Sequence, residues 1–343
     1  MKTIIIPQPG KVEIIETPMP EPKEGEALLK VLRGGICGSD LGTYRGTFAY
    51  ASYPRIPGHE FSARIEKLNG DATAYGLHEG MVVTCNPYFN CGHCYSCSRG
   101  LVNCCEHNET LGAQRDGAFS EYITMPFARI YDGKGLEPDE LAAIEPFCIS
   151  YHGAVTRGKV KAGDKVLVVG AGTIGALAAV AAKSQGASVY IADVAQKKID
   201  YAVKSFGLDG GIFNDGSTFA DKCFEITQGK GFDVAIEAVG LPSTFQNCID
   251  AAAFGGRVVL IGVGKKNLDF NFTLLQKKEL NVFGSRNALK QDFLNLIDLV
   301  KSGKVNLRKA ITNTYEFDDA AKAFADFALH GADMLKVEIK FPD

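Results

Sequence analysis

The stretch Val166-Leu-Val-Val-Gly-Ala-Gly-Thr-Ile-Gly175 decides the fold of the middle of this chain. A short apolar run leads into the spacing G-x-G-x-x-G, and an alanine-rich run follows. Glycines in this arrangement permit a tight strand-to-helix turn and let a pyrophosphate approach the backbone, while the helix N-terminus supplies N–H donors. Asp193 lies eighteen residues after Gly175, at the end of the next apolar run. The pattern predicts a dinucleotide site that includes Gly170, Gly172, Thr173, Ile174, Gly175 and Asp193.

Asp193 also indicates which dinucleotide binds. Its carboxylate can accept hydrogen bonds from both hydroxyls of the adenosine ribose, and it would repel a 2′-phosphate. The residues that follow, 194–196, contain no arginine to neutralise such a phosphate. The sequence therefore predicts NAD rather than NADP. The alternative is a glycine turn in an α/β protein that binds no nucleotide.

Strands and helices alternate regularly from residue 165 to about residue 283. Predicted strands cover 166–169, 188–192, 212–213, 232–237, 257–261 and 280–283. Predicted helices run from the glycine turn to about residue 185 and then over 195–206, 218–228 and 243–253. This alternation is typical of a parallel sheet covered by helices on both faces.

The rest of the chain predicts a second, mostly β domain. The first 135 residues contain short alternating runs, such as 11–16, 27–32 and 81–84, separated by turn residues, and a helix begins at Pro138. After residue 287 come two predicted helices, 292–300 and 318–329, and a strand, 335–340. This tail is too small for a domain of its own. We therefore predict one domain from 1–147 and 288–343, with a lobe at about 86–110, and a cofactor domain at 148–287.

Composition excludes several classes of protein. The 343 residues carry a net charge of −3, and 46% are hydrophobic, which is typical of a globular chain and argues against disorder and nonspecific nucleic-acid binding. The longest apolar run, 166–182, is too short and too polar to span a membrane. No export signal is visible at the N-terminus, so we expect a cytoplasmic protein.

Five of the ten cysteines, Cys91, Cys94, Cys97, Cys104 and Cys105, fall within fifteen residues. The spacing C-x2-C-x2-C-x7-C, which leaves out Cys104, offers four thiolates from one loop and predicts a closed, structural zinc site. An iron–sulfur cluster is the chemical competitor, but the ferredoxin run closes with a shorter gap and a proline. His93 or His107 could replace one cysteine.

Three further segments carry residue types that bind metals. Cys37 lies in Gly-Ile-Cys-Gly-Ser-Asp, His59 and Glu60 in Gly-His-Glu, and Glu145 in Ile-Glu-Pro. Any one of these side chains alone could be packed without a ligand. Together with the dinucleotide pattern and the cysteine cluster, they resemble the zinc-dependent medium-chain dehydrogenases over essentially the whole chain.

Smaller segments resemble one branch of that family. Glu145-Pro146-Phe147 is similar to the polyol and sugar-acid branch, and the segments 103–106, 114–122 and 284–287 resemble the bacterial L-galactonate and L-gulonate 5-dehydrogenases and the related starvation-sensing dehydrogenase. The resemblance implies an α/β protein: a GroES-like, mostly β catalytic domain and a Rossmann doubly wound parallel-sheet cofactor domain. It also implies hydride transfer between NAD and a secondary alcohol of a polyhydroxylated substrate.

The resemblance assigns roles residue by residue. Cys37 and His59, with Glu145 or Glu60, become ligands of a catalytic zinc that has one open position, where zinc acts as a Lewis acid. Ser39 would begin a proton relay, Asp40 would hold the second nitrogen of His59, and Lys198 would contact the adenosine ribose. Gly42 occupies a position where relatives often carry a relay histidine, so the proton would leave through water, Thr43 or Tyr44.

Arg286 and Asn287 follow the last predicted strand, where the family builds its substrate pocket. Arg286 either pairs with the carboxylate of a sugar acid or only orients Glu145. Three functions compete: a sugar-acid dehydrogenase; a dehydrogenase of a polyol, a polyol phosphate or threonine; and a cofactor-binding protein without turnover. The expected partners are a small-molecule substrate and further copies of the chain, as a homodimer or homotetramer, with no nucleic acid and no membrane.

Overall fold

A computed structural model of the protein describes residues 1–264 and 266–342. It divides into two compact units, the first made of Met1–Glu145 and Leu289–Asp343, and the second of Pro146–Ala288. The boundaries predicted from the sequence lie within two residues of these. No helix among the described residues has the length and the apolar character needed to cross a membrane.

The first unit is built around an antiparallel sheet with one parallel edge. Its strands are β1 (Lys2–Gln8), β2 (Lys11–Glu16), β3 (Glu26–Ile36), β4 (Glu60–Asn69), β5 (Val82–Cys85), β6 (Tyr88–Phe89), β7 (Glu109–Thr110), β8 (Tyr122–Pro126), β9 (Ile130–Asp132), β16 (Ile311–Glu316) and β17 (Lys336–Lys340). The main sheet has the order β16-β17-β3-β4-β5-β9, and β8 also pairs with β3. Strands β1 and β2, and strands β6 and β7, form two separate two-stranded antiparallel sheets.

The α-helices that belong to or begin in the described part of this unit are α1 (Gly38–Arg45), α2 (Tyr95–Ser98), α3 (Pro138–Ala142), α4 (Ile144–Tyr151), α10 (Lys290–Lys301) and α11 (Ala320–His330). Its core is apolar and contains the ring of Phe119, which packs edge-on against Phe324 and Phe341 at centroid distances of 6.5 and 6.0 Å. The C-terminal segment joins this core because β17 inserts between β16 and β3. The chain passes into the second unit within α4, and a π-helical turn, His152–Arg157, follows.

The second unit is a six-stranded parallel sheet with the order β12-β11-β10-β13-β14-β15. The strands are β10 (Lys165–Val169), β11 (Ser188–Asp193), β12 (Gly210–Phe213), β13 (Phe232–Glu237), β14 (Ala252–Leu260) and β15 (Asn281–Gly284), and the helices are α5 (Thr173–Ser184), α6 (Gln196–Phe206), α7 (Phe219–Thr227), α8 (Pro242–Ala251) and α9 (Thr273–Lys277). The chain order reverses between β10 and β13, which is the point where such sheets bind nucleotides.

One predicted boundary is wrong. The helix expected over 243–253 ends at Ala251, and Ala252 already belongs to β14, where it pairs with Phe232 of β13. Alanine favours helices locally, but pairing with the neighbouring buried strand decides the conformation here. The strand therefore begins five residues earlier than the apolar run alone indicates.

Candidate metal and dinucleotide sites

Three candidate ligands meet where β3 and β4 lie side by side in the first unit. Gly35 of β3 is paired with Glu60 of β4, and this register places Cys37, which follows the end of β3, beside His59 and Glu60. One ligand atom from each of these three residues lies within 4.8 Å of the others. His59 and Glu60 are buried, and Cys37 is partly buried. A thiolate, an imidazole and a carboxylate at this spacing fit a zinc ion with an open coordination position.

A buried lysine holds Glu60. Lys336 of β17 donates a hydrogen bond from Nζ to Glu60 Oε2 at 2.5 Å and a second one to the carbonyl oxygen of Ile36 at 3.2 Å. Gly35 makes room for this pair, because a Cβ atom at that position would lie 2.3 Å from Glu60 Oε2. Burial opposes the charge on Lys336, but Glu60 and Cys37 raise its pKa overall. The Lys336 ammonium group is therefore held against Glu60 beside the candidate zinc site.

Glu145 lies in the first turn of α4 and is also buried, but it is outside the group of three mutually close ligand atoms. Its carboxylate accepts a hydrogen bond from the hydroxyl group of Tyr88. Burial raises the pKa of Glu145 to about 8, and nearby Glu60 adds to the effect, while His59 and Lys336 oppose it. For His59, burial acts in the opposite direction and lowers the pKa. The negative charges of Cys37 and Asp40 outweigh burial, so the pKa of His59 lies above its usual range.

The four spaced cysteines form a second group of donors. Ligand atoms of Cys91, Cys94, Cys97 and Cys105 all lie within 4.8 Å of one another. Backbone N–H groups donate to the sulfurs, with Cys91 N 3.3 Å from Cys105 Sγ and Cys94 N 3.4 Å from Cys91 Sγ. Backbone N–H donors from Glu106 and Cys97 lower the pKa of the Cys94 thiol to about 6, which favours the thiolate form. Four sulfurs at this spacing fit a closed tetrahedral zinc site.

The glycine turn of the second unit packs closely on itself. A Cβ atom at Gly175 would lie 1.8 Å from the carbonyl oxygen of Gly170, so only glycine fits there. Asp193, the last residue of β11, accepts hydrogen bonds from the backbone N–H groups of Ala171, at 2.6 Å, and Ala195, at 2.9 Å. The acidic residue and the turn that it was predicted to serve are thus in direct contact. Lys198 is half-buried in the first turn of α6.

The chain resembles known dehydrogenases in sequence and structure. A zinc-binding dehydrogenase profile matches residues 173–302, and an alcohol dehydrogenase GroES-like domain profile matches residues 23–134. L-Galactonate-5-dehydrogenase of Escherichia coli K12 is 34% identical over 342 residues, with 99% of each chain covered. Sorbitol dehydrogenase of Halalkalibacterium halodurans is 31% identical over 331 residues, covering 96% of this chain and 95% of that one.

This chain belongs to the zinc-type medium-chain alcohol dehydrogenase family. A solved structure supports the assignment: RspB of E. coli CFT073, complexed with NADH, superposes with a TM-score of 0.90 at 32% identity and 99% coverage of both chains. The family and the two-domain α/β fold predicted from the sequence are confirmed. In this alcohol dehydrogenase the fold brings together Cys37, His59 and Glu60 and, separately, the four spaced cysteines, whereas Glu145 lies outside the first group.

One predicted contact of the alcohol dehydrogenase is absent. Asp40 was expected to hold the second nitrogen of His59, but Nδ1 of His59 has no hydrogen-bond partner among the described residues. Both oxygens of Asp40 accept from the backbone instead, Oδ2 from Cys37 N at 2.9 Å and Oδ1 from Gly58 N at 3.1 Å. Asp40 acts on the imidazole through its charge and ties together the two backbone segments that carry the ligands.

The segment after Cys37 explains the missing relay histidine. A side chain at Gly42 would begin 3.1 Å from Cβ of Phe48, so this loop leaves little space for one. Thr43 is buried and donates to the carbonyl oxygen of Ser39 at 3.1 Å, whereas the ring of Tyr44 packs on Phe324. Ser39 itself is half-buried. Of the two residues named for the relay, Thr43 therefore contacts Ser39, and Tyr44 packs on an apolar ring.

Arg286 and Asn287, the predicted substrate residues, follow β15 in the second unit. Arg286 is exposed, and Asn287 is half-buried with a positive φ of 50°, a left-handed conformation that asparagine tolerates. Cys104, His93 and His107 are not part of the four-cysteine group, and the two histidine rings stack on each other at 6.4 Å.

Sequence reasoning missed Glu237 in the second unit. This buried carboxylate ends β13 and accepts hydrogen bonds through Oε1 from the N–H groups of Val239 and Gly240, both at 2.8 Å, and from Thr244 Oγ1 at 2.7 Å. It fixes a loop that packs on the glycine turn, because Val239 Cγ2 lies 2.7 Å from where a Cβ at Gly170 would be. The available signal was an acidic residue at the end of a buried strand.

Proposed function

We propose that this protein is an NAD-dependent zinc dehydrogenase that oxidises a secondary alcohol of a sugar acid. The observation that carries the proposal is the meeting of Cys37, His59 and Glu60 in a chain that also has the glycine turn. Similarity to L-galactonate-5-dehydrogenase supports a substrate of the L-galactonate or L-gulonate type. NAD is the proposed hydride acceptor because Asp193 would repel the 2′-phosphate of NADP.

The chain's own residues divide the work at the metal site. Cys37 and His59 would hold the zinc ion together with Glu60 or Glu145, and bound zinc supplies the Lewis acidity that lowers the pKa of a substrate hydroxyl group. Lys336 fixes the Glu60 carboxylate through its buried hydrogen bond. Buried Glu145, held by the hydroxyl group of Tyr88, is the other carboxylate proposed for this site.

Ser39 and Thr43 are the polar groups proposed to pass the substrate proton outward. Thr43 Oγ1 donates to the backbone carbonyl oxygen of Ser39, so the two residues lie one turn apart on α1. Water would complete the route, because no side chain is available at Gly42. Asp40 is proposed as a positioning residue that fixes the segments around Cys37 and His59 through its two backbone hydrogen bonds.

The dinucleotide is proposed to bind the second unit through its glycine turn. Gly170, Gly172 and Gly175 shape the turn, and the backbone of Thr173 and Ile174 begins α5, whose N-terminus favours a pyrophosphate. Asp193 retains lone pairs for the ribose hydroxyls beyond its two backbone bonds, since a carboxylate can accept about four hydrogen bonds. Lys198 is proposed to contact the same ribose.

Arg286 is the proposed partner of the substrate carboxylate, with Asn287 beside it. A guanidinium group pairs with a carboxylate through two parallel hydrogen bonds, which a neutral polyol cannot offer. The test compares rates on an aldonate and on the matching polyol for wild type, Arg286→Lys and Arg286→Ala. We expect Arg286→Ala to lose the aldonate selectively. Equal loss on both substrates would instead mean that Arg286 only orients other active-site groups.

The decisive experiment for the function follows NAD reduction across a panel of aldonates, polyols, polyol phosphates and threonine, with metal content measured on the same sample. The proposal expects aldonates to give the highest kcat/KM and two zinc ions per chain, one for each donor group. A polyol as the best substrate would favour the activity named for the sorbitol dehydrogenase relative. Zinc and NAD binding without turnover on any member would favour a non-catalytic protein.

Self-association is proposed through the edge of the parallel sheet. Strand β15 is the last strand in the sheet order, and Val282 on it is 37% exposed. Val263 and Phe272, in the segments that precede it, are 83% and 76% exposed, so an apolar surface accompanies the edge. Exposed strand edges with apolar neighbours favour pairing with another chain. Light scattering should give a dimer or tetramer for wild type and a smaller species for Val282→Lys.

A further inference from the structure

Tyr88 connects the catalytic carboxylate Glu145 to the cysteine lobe, which we define as residues 86–110. The hydroxyl group of Tyr88 donates to Glu145 Oε1, and both side chains are buried, with exposed fractions of 7% and 2%. Tyr88 belongs to β6, which pairs with β7 inside the lobe at the register Tyr88–Thr110. The hydrogen bond therefore joins the lobe to a residue of the proposed catalytic zinc site.

A chain of contacts leads from the cysteines to this tyrosine. Asn90 Nδ2 donates to Cys97 Sγ at 3.7 Å, and Asn90 Oδ1 accepts from Arg129 Nη2 at 2.9 Å. Nη1 of Arg129 donates to the carbonyl oxygen of Tyr88. The central carbon of the guanidinium group, Cζ, lies 4.4 Å from the centre of the Phe89 ring. Arg129, which lies outside the lobe, thus contacts the β6 backbone. Asn90 connects Arg129 to the sulfur of Cys97, one of the four cysteines proposed to bind zinc.

We propose that the cysteine lobe positions Glu145 at the catalytic zinc through Tyr88, so that Tyr88 is a positioning residue for the metal site. This role of Tyr88 rests on the proposed function, because it requires zinc bound near Cys37 and His59. A carboxylate held by one fixed donor presents its remaining lone pairs in one direction, and such supporting hydrogen bonds orient metal ligands generally. Without the Tyr88 hydroxyl group, the Glu145 side chain can rotate. Its buried carboxylate then lacks the hydrogen bond that Tyr88 donates.

The matched variants are Tyr88→Phe and Tyr315→Phe. Both remove a hydroxyl group that donates to a carboxylate in the first unit, since Tyr315 bonds to Asp326 at 2.8 Å, but only Tyr88 contacts Glu145. The measurements are the zinc dissociation constant of the catalytic site, by competition with a chelating dye while the four-cysteine site stays filled, and the visible spectrum after Co²⁺ replaces the catalytic zinc. Neither measurement requires substrate.

We expect Tyr88→Phe to weaken zinc binding about tenfold, the lower end of what loss of a supporting hydrogen bond costs. The Co²⁺ bands should shift as well, whereas Tyr315→Phe should stay within about twofold of wild type by the same measure. In a Glu145→Ala background, Tyr88→Phe should have no further effect, because the two residues act as one unit. An equal loss with and without Glu145, or no loss in either background, would overturn the proposal.

Arg129→Gln tests the part played by the lobe and does not depend on the tyrosine variant folding. Loss of the hydrogen bond from Arg129 to the Tyr88 carbonyl oxygen should weaken zinc binding at the catalytic site several-fold, with the four-cysteine site still filled. Unchanged binding and an unchanged Co²⁺ spectrum would show that the lobe does not position Glu145. Wild-type protein that takes up only the metal of the four-cysteine site would refute the proposed function itself, which is a distinguishable result.

Discussion

Replacement of Glu338 by glutamine should stabilise this protein more as the pH rises. Glu338 lies on β17 with an exposed fraction of 0%, and neither carboxylate oxygen has a hydrogen-bond partner among residues 1–264 and 266–342. Burial raises its pKa from 4.5 to about 8, and the charge of Asp139 adds to the effect, while Lys336 and Arg33 oppose it. The folded protein therefore keeps a proton that the unfolded chain has already released at neutral pH.

The sign and size of the effect follow from proton linkage. Because the folded-state pKa of this acid is raised, its cost is absent well below pH 4.5 and grows as the pH rises towards 8. Each pH unit in this window costs about 1.4 kcal/mol. Between pH 5.5 and pH 7.5 the wild type should thus lose about 2.5 kcal/mol relative to Glu338→Gln, whose amide resembles the protonated acid and does not titrate.

The assay is urea unfolding of both proteins at the two pH values, followed by circular dichroism because the chain has no tryptophan. Zinc is kept saturating, and the difference between the two proteins removes the pH dependence of all other groups. Glu316→Gln, on the neighbouring strand β16 and largely exposed, is the control and should show no such slope. A stability difference between Glu338→Gln and wild type that is the same at both pH values would refute the reasoning.

Five further substitutions, in three comparisons, test other parts of the molecule. Gly175→Ala should destabilise the second unit by about 1–3 kcal/mol through overpacking. At Gly172 a Cβ atom would meet nothing within 4 Å, so Gly172→Ala should leave the thermal unfolding temperature unchanged but weaken NADH binding. Lys336→Met leaves the carboxylate of Glu60 buried without its cation. The unfolding free energy of zinc-free protein, measured by urea titration, should therefore fall by about 3 kcal/mol. Cys97→Ser should reduce zinc from two ions to one per chain in metal analysis, while Cys104→Ser, outside the four-cysteine group, should retain both.

The parallel sheet could be predicted because its central strands, β10 and β13, are mostly buried and read as largely apolar runs. Strand β16, Ile311–Glu316, was missed for the opposite reason: its side chains are half-buried or exposed, and its sequence ITNTYE is polar. Helix α1 was also missed, since Gly38 and Gly42 disfavour helix and its start depends on a long-range arrangement around Asp40. Tertiary pairing decides both elements, and a local pattern does not report it.

The candidate metal-binding residues could be picked out because cysteine and histidine are chemically distinctive and their spacing is short within each segment. The residues that support them carry no such pattern. Lys336 reaches Glu60 across 276 positions of the chain, and Tyr88 reaches Glu145 across 57. An ordinary lysine or tyrosine on a strand gives no sign of such a contact until the strand order is known.

The division of the first unit has a consequence for synthesis on the ribosome. The second unit is one continuous segment, Pro146–Ala288, but the first needs both Met1–Glu145 and the segment that begins at Leu289. Strand β17 therefore leaves the ribosome after the whole second unit. Until then β3 lacks its pairing with β17, and Glu60 lacks the ion pair with Lys336. The nascent N-terminal segment must wait with an open sheet edge, which makes it a natural client for chaperones.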